Sequence, residues 1–254
     1  MTNKKHMYQL RQIIEASIVP LMSNPNSSHV IIKCINCFNE NKITYIYDLI
    51  KRFLFEIATN KFGCSSLQKC LEICSENQKS LMISKIVKLA NNLVVDTYGN
   101  YVLLNVISMK NAKVIKEILD KVISNNNIKD LCKSKVSSCV VEKCMDNSDQ
   151  HTRDYLIEKF KKEDLLELIL DPQGFYSKFI MINIFLVCIK ILLYANEQIY
   201  SIFLQEVKIN YLKISNNVIG VRFLNKLQAV AHNIAEDLNP SSSSVSLSGK
   251  MQDP

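Results

Sequence analysis

The sequence lacks tryptophan altogether and contains only five glycines and five prolines in 254 residues. So few turn-forming residues exclude a fold of many short strands joined by tight turns. No run of valine, isoleucine and threonine alternates with polar residues, and apolar residues recur instead at helical spacing. Hydrophobic residues make up 48% of the chain, which is enough for a continuous core. The sequence therefore predicts an all-α protein.

Long apolar runs are also lacking. The longest one, 179–189, is interrupted by Asn183 and followed by Lys190. It is well short of the roughly 20 residues that a membrane-spanning helix needs, so we read it as a buried helix and expect no membrane partner.

The nine cysteines argue against both disulfides and metal binding. The N-terminus shows no signal peptide, so the pattern predicts reduced thiols in the cytosol or nucleus. The pair Cys34 and Cys37 has no second pair at zinc-finger spacing, and we expect no metal site. Cysteines inside apolar helical segments are interpreted as small core residues. These are Cys34, Cys70, Cys144 and Cys188.

The residue patterns of an active site are missing as well. The four histidines are scattered, and no H-E-x-x-H, G-x-S-x-G or phosphate-loop motif occurs. We therefore expect no enzyme, no cofactor and no small-molecule substrate. The formal net charge of +7 favours an anionic partner but is too moderate to identify nucleic acid by itself.

What the sequence does contain is a repeat. The block F-G-C-S-S-L-Q-K-C-L at 62–71 is followed 36 residues later by Y-G-N-Y-V-L-L-N-V-I at 98–107. A small residue starts each copy, because a bulky side chain would crowd the tight turn there. These anchor residues are Ser27, Gly63, Gly99, Ser137, Gly174 and Gly220, at steps of 36, 36, 38, 37 and 46 residues.

The repeated helix carries apolar residues at the same offsets in each copy. Between the copies, apolar residues at helical spacing predict further helices at 8–22 and 43–58. One helix pair cannot bury such a face alone, whereas stacked pairs can. The sequence thus predicts a repeat array over 1–238 and a disordered Ser-rich tail over 239–254. The matching apolar residues are Leu67, Cys70 and Leu71, then Leu103, Val106 and Ile107, then Val141, Cys144 and Met145.

Four blocks carry a resemblance to a known family. They are S-S-H-V-I-I-K-C-I at 27–35, G-C-S-S-L-Q-K at 63–69, Y-G-N-Y-V-L-L at 98–104 and S-S-C-V-V-E-K-C at 137–144. In content and order they resemble the second half of the repeat array of the Pumilio (PUF) family. The resemblance implies an all-α, right-handed α-solenoid, a crescent of about six units. It also implies that about two N-terminal units are missing, through a truncated gene model or because another chain covers that face.

The resemblance further implies how RNA would be read. In this family each unit binds about one base of single-stranded RNA through two or three side chains of its second helix. The pair Ser138 and Glu142 implies guanine, because a carboxylate accepts both donors of the guanine edge. The pair Cys64 and Gln68 implies adenine, because an amide offers one donor and one acceptor. Together with the unit between them, these pairs imply a core of 5′-G-U-A-3′.

The remaining units depart from the family pattern. In the middle unit Asn100 keeps its base-edge position, but Leu104 stands where an amide completes the uracil site, which weakens the expected uracil preference. Tyr101 remains as a stacking ring, whereas Ser65 and Cys139 are too small to stack. Further base-edge positions are Ser28 and Asn225, and further stacking positions are His29, Tyr176 and Arg222.

The implied function is post-transcriptional control in the cytoplasm. The chain would bind UGUA-like elements in the 3′ untranslated regions of messenger RNA and recruit repressor or decay proteins. The substitutions at Ile32, Phe175 and Phe179 favour an alternative, a degenerate scaffold with weak or non-specific RNA binding, for example in ribosome assembly in the nucleolus. Lys33, Lys69 and Lys143 follow the base-edge position as phosphate contacts or as solvated charges.

Overall fold

The computed structural model describes residues 4–159 and 207–216, with residues 194, 201, 205, 221, 224, 225, 227 and 228. Over this part of the chain the structure is helical and contains no strand, as the sequence predicts. The anchors Gly174 and Gly220, the stacking positions Tyr176 and Arg222, and the tail at 239–254 lie outside the described residues.

Twelve helices are described, and their bounds follow the predicted repeat. The described helices are α1 (Lys4–Met22), α2 (Ser28–Cys37), α3 (Glu40–Arg52), α4 (Leu54–Ala58), α5 (Gly63–Ile73), α6 (Glu76–Leu93), α7 (Gly99–Ser108), α8 (Ala112–Asn125), α9 (Ile128–Lys133), α10 (Ser137–Asn147), α11 (Gln150–Glu158) and α12 (Tyr211–Ser215).

The helices of the first four units form two rows. Helix α2 contacts α5, α5 contacts α7, and α7 contacts α10, so the repeated helices form one row, here called the reader row. Helices α1, α3, α6, α8 and α11 contact one another in the same order and form the second row. Two stacked rows of antiparallel helices with contacts only between neighbours are the architecture of an α-solenoid.

The core lies between the two rows, at the offsets that the sequence predicts. Leu67, Cys70 and Leu71 of α5 are fully buried, and the corresponding residues of α7 and α10 are at most 2% exposed. Burying a side chain of this size contributes roughly 1.5–3 kcal/mol. The repeated apolar face is therefore the surface that joins one unit to the next, and the predicted solenoid core is confirmed.

Two predicted helix bounds are wrong. The helix expected at 43–58 begins at Glu40 and is divided at Phe53, whose φ of −105° and ψ of 26° leave the helical range. The helix expected at 8–22 begins at Lys4 and has a kink at Ser17, with φ of −137°. The kink lies one turn before Pro20, whose ring clashes with the carbonyl four residues earlier and which lacks an N–H.

A side-chain turn precedes each of the four repeated helices that the structure describes. The Oδ1 atom of Asn60 accepts hydrogen bonds from the amides of Phe62 (2.9 Å) and Gly63 (3.0 Å). Asp96 does the same for the amides two and three residues ahead of it, at 2.9 and 2.7 Å. Asn24 and Ser134 fill the same position in the first and fourth units. These side chains satisfy amides that a helix start leaves unpaired.

The anchor residue next to this turn is small because it meets the end of the preceding helix. A Cβ atom at Gly63 would lie 2.2 Å from the carbonyl oxygen of Ile57, six residues earlier. Serine is tolerated where the hydroxyl can bond to the equivalent carbonyl. The Oγ atom of Ser27 donates to the carbonyl of Leu21 at 2.9 Å. Ser137 donates to the carbonyl of Leu131 at 2.7 Å.

Replacing Asn60 by alanine is expected to lower the free energy of unfolding by about 1 kcal/mol, because two amides of the turn lose their acceptor. The matched control is Ser134→Ala, whose two bonds are longer, at 3.3 and 3.4 Å, and for which we expect about half that loss. Urea unfolding of the full chain measures both values. Equal losses in the two variants would contradict the role of the short bonds.

Candidate nucleic-acid interface

A groove of about 510 Å³ runs across the reader row and joins three successive units. Its walls come from α5, α7 and α10, so residues up to 79 positions apart in the chain share one surface. The residues that line it are Cys64, Ser65, Gln68, Tyr101, Leu104, Asn105, Ser108 and Lys143. The sequence analysis named Cys64, Gln68 and Tyr101 as binding residues, and the structure brings these three together.

Cys64 and Gln68 reach the groove from one face of α5, as their spacing of four residues predicts. Cys64 is 5% exposed, and its Sγ atom donates to the carbonyl of Lys61 at 3.4 Å. Burial raises the pKa of the Cys64 thiol above its ordinary value, so the group stays neutral. Gln68 is half-buried one turn further along. The Gln68 amide is therefore the group of this unit that can hydrogen-bond to a ligand in the groove, and the Cys64 thiol lines the groove as an uncharged group.

Asn100 is committed to the local turn. Its Nδ2 atom donates to the carbonyls of Asp96 and Thr97, both at 2.9 Å, and the residue is 4% exposed. Both amide hydrogens are thus used by the backbone, and only Oδ1 keeps an acceptor for a ligand. The role of Asn100 at a base edge stays a prediction, and the structure restricts it to this acceptor.

The residues equivalent to Asn100 in the first and fourth units are buried in the same way. Ser28 and Ser138 are 8% and 2% exposed, since both lie in the first turn of a repeated helix. The Oγ atom of Ser28 donates to the carbonyl of Pro25 at 3.1 Å. The Oγ atom of Ser138 has no hydrogen-bond partner among the described residues. The Ser28 hydroxyl is thus bonded within its own turn, whereas the Ser138 hydroxyl is buried without a partner in the described part of the chain.

The second residue of each base-edge pair lies four positions after the first. In the first four units, it and the stacking residue are less buried than the first residue. Glu142 is half-buried like Gln68, and Asn225 is exposed. Tyr101 is 53% exposed and lines the groove, and His29 is also exposed. An exposed ring on a groove wall is what base stacking requires. Ser65 and Cys139 are exposed in the same column but offer no ring.

Two groove residues, Asn105 and Ser108, were missed by the sequence analysis. Asn105 follows the base-edge position, where Lys69 and Lys143 stand in the neighbouring units. The change from lysine to asparagine at this position of the aligned units was visible in the sequence and could have singled out Asn105. Lys33 and Lys69 are exposed, whereas Lys143 is half-buried and lines the groove. The groove thus carries one positive charge from the fourth unit.

Of the four cysteines predicted to be core residues, Cys34, Cys70 and Cys144 are buried, and Cys188 lies outside the described residues. Burial raises the pKa of Cys70 to about 12 and raises that of Cys144 as well, so neither thiol ionises near neutral pH. Cys34 is buried and Cys37 is exposed, and both are free thiols. Over the described residues no group of side chains is arranged to hold a metal ion. Nor does any described helix combine the length and apolarity needed to cross a bilayer.

Comparison with known proteins bears on this arrangement. The model of the Pumilio-family RNA binding repeat matches residues 17–51, 54–87 and 127–159. Pumilio homolog 12 of Arabidopsis thaliana is 28% identical over 217 residues, which are 85% of this chain and 34% of that protein. The suppressor protein MPT5 of Saccharomyces cerevisiae is 34% identical over 130 residues, 50% of this chain and 15% of that protein. The match thus covers about a third of the length of the first relative and less of the second.

Solved structures support the same fold. The Puf4 RNA binding domain, bound to the HO endonuclease RNA 3′ UTR recognition sequence, matches with a TM-score of 0.70 and 20% identity over 89% of this chain and 69% of that one. PUF-8 in complex with PBE-RNA matches with a TM-score of 0.68 and 21% identity over 90% of this chain and 65% of that one. The fold is therefore the predicted α-solenoid, and the chain is similar to the Pumilio (PUF) repeat family over the three matched segments.

Proposed function

We propose that the chain binds single-stranded RNA along the reader row, about one base per unit, and that it acts by binding and not by catalysis. The observation that carries this proposal is the groove shared by α5, α7 and α10. It collects Gln68, Tyr101 and Lys143, which offer an amide, an exposed ring and a positive charge. Such groups bind the base edges, the base faces and the acceptor oxygens of RNA.

Base preference follows from the side chains at the second base-edge position. Glu142 accepts hydrogen bonds, which suits the two donors of guanine. Gln68 offers one donor and one acceptor, which suits adenine. With the C-terminal units at the 5′ end of the RNA, the preferred core is 5′-G-U-A-3′ within a UGUA-like element.

A biological role follows from such a preference. The chain would act on 3′ untranslated regions of messenger RNA in the cytoplasm and repress translation, together with repressor or decay proteins. The related Puf4 domain is bound to a 3′ UTR recognition sequence, which supports this class of target.

The affinity is expected to be modest. Base–aromatic stacking contributes roughly 1–3 kcal/mol per base, and rings are missing at Ser65 and Cys139. Leu104 and Ile32 add no hydrogen bond at their base edges. Losses of this size cost several decades in affinity, so we expect a dissociation constant in the micromolar range.

Titration of a labelled UGUA-containing RNA at two salt concentrations tests the proposal. We expect micromolar binding that weakens roughly tenfold when the guanine is replaced by adenine. A size-matched RNA without the UGUA core is the control for purely electrostatic binding, which depends on salt but not on sequence. Equal affinity for all RNAs would instead support the degenerate scaffold, which Ile32, Phe175 and Phe179 favour, and nanomolar affinity would contradict the expected weakening of the affinity.

A further inference from the structure

In the third unit the polar base-edge residue is replaced by leucine, and an amide stands at the next position. In the second unit an amide at Gln68 is followed by Lys69, and in the fourth a carboxylate at Glu142 is followed by Lys143. In the third unit the order is Leu104 and then an amide, Asn105. The apolar residue has taken the base-edge position, and the amide stands one residue later.

The exchange places the amide inside the groove. Leu104 and Asn105 are both half-buried and both line the groove beside Tyr101. Lys69, at the position equivalent to Asn105, is exposed and is not part of the groove wall. The column after the base-edge position therefore faces the groove in the third unit, although it faces solvent in the second.

The Asn105 amide is unusual in its bonding state. Its Oδ1 atom is shielded from solvent and has no hydrogen-bond partner among the described residues. A buried acceptor without a donor is costly, and a ligand that supplies a donor removes the cost. The terminal torsion of an asparagine is soft, so the amide can turn between the wall and the groove. By contrast, both amide hydrogens of Asn100 in the same unit are donated to backbone carbonyls of the preceding turn.

We propose that Asn105 reads uracil at the third unit in place of the amide that Leu104 lacks, and that Lys143 excludes cytosine. This inference rests on the proposed RNA binding. An amide matches the N3–H donor and the O4 acceptor of uracil. Turned over, it would also match cytosine, so the amide alone does not choose between the two bases. The ammonium of Lys143 lines the same groove and only donates, which favours the O4 acceptor of uracil over the amino group of cytosine.

The test uses four RNAs that differ only at the base between the guanine and adenine of the core, which is U, C, A or G. The wild-type chain is expected to bind the U form about tenfold better than the C form. In Asn105→Leu, which keeps the side-chain size, we expect this ratio to fall to about one, because Lys143 can discriminate only against a base that the amide holds in place. The preference for guanine at the preceding position should stay unchanged. Adding Leu104→Gln to Asn105→Leu should restore the ratio, since it returns an amide to the base-edge position.

Lys69→Met is the matched control in the second unit and should leave the ratio of U to C unchanged, because Lys69 lies outside the groove. A ratio that is unaltered in Asn105→Leu, or that Lys69→Met lowers equally, overturns the inference while the guanine preference still upholds the proposed function. Loss of guanine preference and of RNA binding in the wild-type chain overturns both.

Discussion

An RNA with adenine in place of guanine is expected to become the better ligand when Glu142 is changed to glutamine. The carboxylate accepts hydrogen bonds only, whereas the amide of equal size both donates and accepts, as the adenine edge requires. Each matched base edge contributes roughly 1–3 kcal/mol of discrimination, so the ratio of the two affinities should change about a hundredfold. Paired titrations of the wild-type and variant chains with the two RNAs measure this ratio.

The reciprocal variant is the control for this exchange. Gln68→Glu makes the opposite change in the second unit, on the same side of its helix, and should move the preference at the adenine position toward guanine. Each variant should leave the base preference at the other position unchanged, because the two side chains belong to different units. A ratio that does not move in Glu142→Gln would show that this unit does not read the base edge.

Changing Gly63 to alanine is expected to destabilise the chain by about 3 kcal/mol. The added Cβ atom would lie 2.2 Å from the backbone oxygen of Ile57, and a backbone atom held in a helix end cannot move aside. Relief would require opening the turn, with loss of the two bonds to Asn60. Thermal and urea unfolding of the full chain would show the loss directly.

Gly99→Ala is the matched variant one unit later. There the nearest atom to the added Cβ is the Cδ2 atom of Leu93, at 2.8 Å, which is the end of a flexible side chain. We expect a loss of about 1 kcal/mol, since Leu93 can adjust within the core. If the two glycine variants are equally stable, the close approach to the Ile57 carbonyl does not decide the choice of residue at the anchor.

Sequence reasoning identified the repeat and its buried face because both are periodic. The offsets of Leu67, Cys70 and Leu71 recur in each copy, and any stacked helix must bury such a stripe. The grouping of Gln68 with Tyr101 followed from aligning two copies, since equivalent residues of stacked units face the same way. Periodicity therefore determined which residues would share a surface.

Periodicity could not determine how single side chains would be used. The division of a helix at Phe53 depends on backbone angles that no repeated pattern encodes. The commitment of Asn100 to Asp96 and Thr97 depends on the path of one turn. Asn105 was missed because the equivalent residues of the first, second and fourth units are lysines, two of which face solvent. These features arise from local competition for hydrogen bonds, which differs from unit to unit.

In the four units that the structure describes, the turn before the repeated helix is closed by bonds within the unit itself. The bonds made by Asn60 and by the hydroxyl of Ser137 span no more than six residues. None of them therefore reaches the repeated helix of another unit. We therefore expect the exchange of one unit for another to leave these turn bonds intact, provided that the joint lies between a repeated helix and the helix that follows it. Each described helix start would then keep its own hydrogen bonds, whichever unit stands next to it.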